Sequence, residues 1–170
     1  MAGSHPKVTS KSGRIFSAFP AAILAFVVNR EEKFLLMRCP ESTSWEIPSG
    51  ALEEGESPLE GLDRELREEL GEQFRYRPLY PVDVSSFKYD ASLTLLSIGF
   101  VVEYLGGRIT PGDDMTNAEA EWVSVEDIVA SRSIGVPKDI SHFARARDLF
   151  RLSKSAAESN ALGESGQRLT

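Results

Sequence analysis

Nine acidic side chains fall between positions 53 and 72: Glu53, Glu54, Glu56, Glu60, Asp63, Glu65, Glu68, Glu69 and Glu72. Only Arg64 and Arg67 oppose them there, while the rest of the chain holds 17 acids and 17 bases. The whole net charge of −7 therefore sits in one short stretch. Like charges at this density repel and work against a compact state. A divalent cation is the simplest group that would offset them. On a helix, Glu65 and Glu69 lie one turn apart and Glu68 lies beside them. They fall near the helix C-terminus, where the macrodipole disfavours negative charge. Clustered hard oxygen donors suit Mg2+, or Mn2+, and Mg2+ is usually held by a few carboxylates together with substrate phosphates and water. Such an ion can activate water and stabilise charge on a leaving oxygen. A solvated acidic face is the commoner fate of three glutamates on a helix, so the spacing must carry the argument.

The elements that would position these groups are legible. Ser57 suits an N-cap, Pro58 the first helical position, and Glu60 completes a capping box. Leu59, Leu62, Leu66 and Leu70 recur at intervals of 3, 4 and 4, giving one apolar stripe over Pro58–Leu70. Gly71 can end the helix in the left-handed conformation. Upstream, Phe19–Asn29 and Lys33–Arg38 read as two strands of a hairpin about a polar turn, and Trp45–Pro48 as a short extended piece. Downstream, Arg75–Val84, Leu93–Tyr104 and Glu121–Val123 read as strands. Val125–Ser131, capped by Ser124, and Ser141–Ala157 read as helices. Residues 1–18 are expected to be a flexible arm and 158–170 a disordered tail, leaving 19–157 as a single domain. Strands mixed with a few helices, without regular βαβ alternation, argue an α+β fold or a mixed sheet flanked by helices.

Bulk properties bound the function. A chain of 170 residues with 41% hydrophobic and 26% charged residues is an ordinary globular domain. Its single cysteine, Cys39, fits a reducing, cytoplasmic compartment. The longest apolar run, Phe19–Val28, is too short to span a bilayer, and the polar first residues do not read as a signal peptide. Nothing in the charge balance suggests a surface for duplex nucleic acid.

Seven positions, Gly50, Glu56, Arg64, Glu65, Glu68, Glu69 and Gly71, match one pattern, a coincidence expected on the order of once in 10⁸ starting points. The segment IPSGALEEGESPLEGLDRELREELGE resembles the signature box of the Nudix hydrolases. The flanks LLMR, WEIPSG and AEAEWVSVEDI are also similar to that family, so the resemblance covers about residues 19–130. It implies an α/β/α sandwich around a mixed sheet, with the box as loop–helix–loop. It further implies metal-dependent hydrolysis of a nucleoside diphosphate linked to another moiety, with water attacking a phosphorus. By motif position, Glu68 and Glu69 would be metal ligands and Glu65 a ligand or the general base. The base falls between Glu65 and Glu68. The Gly50 carbonyl would add a ligand, and Arg64 would pair with Glu56 to orient the glutamates. Glu119 could bind metal, touch the base or act as general base, with a solvated glutamate as the alternative; Glu121 is the weaker candidate.

Substrate-binding candidates are Arg38 for phosphate and Trp45 and Tyr89 for stacking on a base, with packing favoured for Trp45. Tyr89 falls 18 residues after Gly71, where dinucleoside-polyphosphate hydrolases of the family carry a tyrosine. The lead-in EIPSG instead resembles the ELPAG of the ADP-ribose group. Dinucleoside polyphosphates, ADP-ribose-like sugar nucleotides and modified nucleoside triphosphates stay open as substrates. Glu72 departs from the apolar residue usual after the final glycine, and Phe74 is the candidate to replace that contact. The basic side of the last helix (Arg145, Arg147, Arg151, Lys154) reads as solvated rather than as an RNA track. His5 and His142 have no evident partners. A catalytically silent nucleotide sensor of the same fold is the competing reading, and a purely structural module a third. A small nucleotide is the expected partner, no membrane is, and the arm and exposed strands allow a homodimer.

Overall fold

A computed structural model describes residues 7–89, 93–112, 115–136 and 139–166. Strands β1 (Lys7–Thr9) and β2 (Ile15–Ser17) pair antiparallel as a small separate ribbon. There follow β3 (Ala21–Val28), β4 (Phe34–Arg38), β5 (Trp45–Glu46), β6 (Ser49–Ala51) and helix α1 (Pro58–Leu70). Then come β7 (Arg75–Lys88), β8 (Thr94–Gly106), β9 (Glu119–Val123), α2 (Val125–Ser131), β10 (Ile134–Val136) and α3 (Ser141–Gly166). The described residues form an eight-stranded sheet with the path β10-β5-β4-β3-β8-β7, where β6 also pairs β3 and β9 also pairs β4. It is mixed: β3–β8 and β5–β10 are parallel, and the other pairings are antiparallel.

The near-continuous apolar runs of β3 and β4 follow from burial on both faces. Alternate residues point to opposite sides of a strand. Leu24, Phe26 and Val28 of β3, with Phe34 and Leu36 of β4, face Ile128 of α2 and Phe143, Ala146 and Phe150 of α3. Ile23, Ala25 and Val27, with Leu35 and Met37, face Leu62, Leu66 and Leu70 of α1. One sheet therefore carries two cores, and the layers are α/β/α. Phe143 anchors the first core, with its ring edge-on to Phe26 at 5.3 Å and to Phe34 at 5.1 Å.

Four expectations are corrected. The first residues are not wholly an unstructured arm, because β1 and β2 pair. Strand β7 runs on to Lys88, four positions past the expected Val84, because it keeps its register with β8 out to Lys88↔Thr94. The last helix continues to Gly166 rather than ending at Ala157, so the expected tail is helical over 158–166, and 167–170 lie outside the described residues. Leu59 is 55% exposed although it belongs to the leucine stripe. Contact with the sheet layer begins about one turn on, at Leu62, which packs with Leu66 and Leu70 against Ile23, Ala25 and Val27. Angular position on a helix thus gives a candidate face, and the helix's overlap with the sheet decides which turns are buried. Phe74 is buried against the α1 core, as the polar Glu72 required.

Leu66 is fully buried between α1 and the sheet. Leu66→Ala is expected to lower unfolding free energy by about 2–5 kcal/mol, whereas Leu59→Ala should change it by about 0.5 kcal/mol or less. Urea denaturation of the two variants checks this, and equal midpoints would contradict the assignment of faces.

Candidate active site

The site is built from β6, the loop after it and α1. Strand β6 lies antiparallel to β3 with Gly50 opposite Ile23. The loop enters α1 through a complete capping box: Ser57 Oγ accepts from the Glu60 amide, and Glu60 Oε2 accepts from the Ser57 amide at 2.8 Å. At the other end the 107–112 loop folds over the helix C-terminus. The Thr110 amide donates to the Leu70 carbonyl at 2.9 Å and the Gly112 amide to the Glu69 carbonyl at 3.2 Å. Gly71 has φ 87° and ψ 159°, a region open essentially only to glycine rather than the ordinary left-handed cap. These contacts satisfy carbonyls that would otherwise add negative charge beside Glu68 and Glu69.

Arg64 organises the carboxylates. Its Nε donates to Glu56 Oε1 at 2.7 Å and its Nη2 to Glu56 Oε2 at 3.1 Å, a two-pronged pairing across the loop. Nη1 donates to Glu65 Oε1 and Glu68 Oε2, both at 2.9 Å, and Nη2 also reaches the Ala51 carbonyl at 2.8 Å. One guanidinium thus ties three carboxylates and the strand end together. The Arg64 bond, followed by the Glu53 amide, holds the Glu56 carboxyl below the usual glutamate range. The same pairing pushes the Arg64 guanidinium up, Glu56 contributing most.

Glu69 is only 4% exposed, and its Oε2 accepts from the Ser49 amide at 3.2 Å. Glu65 lies so close to Gly50 that a Cβ there would stand 1.9 Å from Glu65 Oε1, which accounts for the glycine. Glu65, Glu68, Glu69 and the Gly50 carbonyl offer only oxygens, the donor type that Mg2+ or Mn2+ takes. Among the described residues, however, no three carboxylate, histidine or cysteine side chains converge as a ready metal cluster. Arg64 Nη1 instead bridges Glu65 and Glu68. The expected cluster is therefore present in composition, with its carboxylates engaged by a cation of the chain's own.

Beside this frame opens a cleft of about 1100 Å³, lined by Ser49, Gly50 and Ala51 and by Asp139, His142 and Arg145 near the start of α3. Phe87, Lys88, Tyr89 and Leu95 line it from β7 and β8. Tyr89 is 69% exposed on the cleft, free to meet a ligand. Trp45 is not: it is 6% exposed, within the core, and the guanidinium carbons of Arg38 and Arg132 stand 4.8 and 5.0 Å from its ring centre. Arg38 and Glu119 are cross-strand partners in β4 and β9 and form an ion pair at 2.7 Å. Neither lines the cleft. Glu121 is bound by Arg132 at 2.6 Å.

Other acids also have partners. Asp63 accepts from Arg67 at 2.8 Å and from the Tyr76 hydroxyl, and Glu72 accepts from Arg67 at 3.0 Å. On α3, Arg147 pairs with Glu126 at 2.6 Å and Arg151 with Glu32 at 2.9 Å, so these arginines serve the fold. The residues that sequence reasoning missed are Glu46, Asp83, Asp139 and Arg145 as cleft wall, and His142 as a partnered side chain. His142 Nε2 stands 3.5 Å from Asp83 and 3.8 Å from Asp139. No spacing signal could have joined β7 to α3 across nearly sixty residues of chain.

Comparison with known proteins gives a consistent grouping. The family model described as NUDIX domain matches residues 18–145, most of the chain. An ADP-ribose pyrophosphatase of Methanocaldococcus jannaschii is 31% identical over 103 residues, covering 59% of this chain and 60% of that protein. An NAD-capped RNA hydrolase, NudC, of Pseudomonas fluorescens is 34% identical over 113 residues, covering 64% of this chain and 39% of that protein. The matches thus span less than two thirds of either relative. Among solved structures, the MutT protein from Methanosarcina mazei Go1 superimposes with a TM-score of 0.62 at 24% identity, over 75% of this chain and 92% of that one, a likeness of fold.

The depressed Glu56 carboxyl adds stability when ionised, and that contribution is lost as pH falls through its lowered pKa. Glu56→Gln removes the titrating group. Its melting temperature should therefore fall less steeply than the wild type's from neutral pH into the acid range. Parallel acid limbs in the two melting curves would show that Glu56 is not coupled to Arg64 in solution.

Proposed function

The chain belongs to the Nudix family, and from that premise we propose that it is a divalent-metal-dependent pyrophosphohydrolase acting on a nucleoside diphosphate linked to another moiety. The observation that carries this reading is the Arg64-centred frame: every box glutamate is present, and Gly50 and Ala51, which Glu65 and Arg64 touch, line a cleft large enough for such a substrate. At about 1100 Å³ the cleft is slightly larger than the usual small-molecule site. The engaged arginines of α3 favour a free nucleotide over an RNA strand, since neither Arg147 nor Arg151 is left to track a phosphate backbone. Relatives named for ADP-ribose and for capped RNA share the diphosphate linkage, and that shared chemistry is the substrate class proposed.

In this mechanism Glu65, Glu68, Glu69 and the Gly50 carbonyl would hold Mg2+, with Mn2+ as the alternative. When bound, the ion neutralises phosphate charge and lowers the pKa of water. Glu65 or Glu68 accepts the proton of a water whose oxygen attacks a phosphorus. The new P–O bond forms as the bridging P–O bond breaks, and the departing phosphate oxygen keeps the electron pair. Arg64 bonds both candidate bases at 2.9 Å, so it positions each without selecting one. Glu69 is steadied by the Ser49 amide, and Gly50 keeps β6 close to Glu65. Tyr89 supplies a stacking face, while Arg38 and Glu119, paired to each other away from the cleft, brace β4 against β9. The reducing environment suited to the single Cys39 supports a cytoplasmic location. The exposed Val8, Ile15 and Phe16 of the β1–β2 ribbon favour self-association as a homodimer.

Separate Glu65→Gln and Glu68→Gln variants identify the base. The variant lacking it should lose about 10²–10⁴-fold in kcat and the acidic limb of its pH–rate profile. The other should mainly require more metal. Glu69→Gln, still folded, should lose metal-dependent turnover. Full turnover by that variant would overturn the metal assignment, and ligand-induced thermal stabilisation without any product would favour a sensor.

A further inference from the structure

Most polar side chains on the cleft wall are satisfied within the protein. Asp83 is approached by His142 Nε2 and Arg145 Nη1, each at 3.5 Å. Asp139 accepts from the Ser141 amide at 2.9 Å, and the Ser85 and Ser97 hydroxyls bond each other at 3.1 Å. Glu46 differs. It sits in the two-residue strand β5, between Met37 of β4 and Val136 of β10, and lines the same cleft as Gly50. Burial raises its carboxyl pKa, and no ion pair or hydrogen bond acts against that rise. Glu46 is half-buried, and a ligand seated over it would take it out of water, which is costly for a carboxylate without a donor. The cleft also carries apolar side chains: Leu24, Phe87, Leu95, Met115 and Val136. They suit the faces of a flat ring, and they cannot satisfy the several hydroxyls of a sugar.

We propose that Glu46 is a specificity-determining residue that accepts a hydrogen bond from the amino group of a purine base seated in this cleft. The proposal rests on the nucleotide-hydrolase reading above and narrows it to amino-bearing purine nucleotides. The acceptor discriminates because a bound analogue without the amino group covers the half-buried Glu46 and leaves it unpaired. The Asp83–His142–Arg145 group plays a different part. It joins β7 to the start of α3 and so holds that part of the cleft lining together.

The test is metal-free binding calorimetry with two matched pairs: ADP against purine riboside diphosphate, and GDP against IDP. Each pair differs by one amino group. The wild type should bind the amino-bearing member of at least one pair about tenfold or more tightly, and Glu46→Leu should bring that pair within about twofold. Glu46→Gln, with an uncharged acceptor, should fall between. Equal binding by the wild type in both pairs overturns the proposal without needing any variant. So does a preference that survives Glu46→Leu, or a Glu46-dependent preference for ribose over deoxyribose. Turnover with Mg2+ is scored separately. Equal hydrolysis and equal binding within both pairs would remove the base-reading role and leave the hydrolase standing. Amino-selective binding without hydrolysis would do the reverse.

Discussion

The guanidinium of Arg64 is the interaction on which the remainder of the site depends. Nine carboxylates in twenty residues would drive the loop and the helix apart. Arg64 takes hold of three of them and of the Ala51 carbonyl at the end of β6. Its side chain is largely covered, as are those of Glu56 and Glu65, so these bonds work in a medium less screening than water. A lysine could not reproduce this geometry, because it lacks the planar fork that binds Glu56 with two nitrogens while a third contact reaches Glu65 and Glu68.

That clamp holds only because the helix is anchored from below. Leu62, Leu66 and Leu70 lock α1 onto a sheet whose central strands are buried on both sides. Glu69, on the same helix, turns inward to the Ser49 amide instead of outward to water. The helix therefore carries three different environments within two turns: an apolar base, a buried acceptor and an exposed rim. Gly50 lets β6 approach Glu65 closely, and the 107–112 loop closes the helix end. Each device is small, and together they set carboxylates beside a cleft with little freedom to move apart.

Local features were legible in the residues themselves. The capping box and the helix limits depend on contacts close along the chain, and the structure has both; the Glu56–Arg64 pairing, which the family resemblance implied, is also formed. The two-faced burial of β3 was implicit in its unbroken apolar run. Leu59 is an instructive failure of detail. Leu59 has the right angle for the core and the wrong turn of the helix. Trp45 has the right chemistry for a base, but its ring is spent on packing between arginines.

Sequence alone determined the local frame: the carboxylate set, the arginine that pairs with it, the helix that carries them and the family to which the chain belongs. These are properties of spacing, and a helix converts spacing into geometry without help from distant residues. Only the tertiary structure decided what surrounds that frame. Glu46 comes from a two-residue strand, Asp83 from β7, and His142 and Arg145 from the head of α3, and they share one cleft only after the sheet is assembled. The same assembly paired Arg38 with Glu119, and Arg147 and Arg151 with acids far away in the chain. Whether a charged side chain is free or engaged depends on through-space neighbours, and linear order does not encode them.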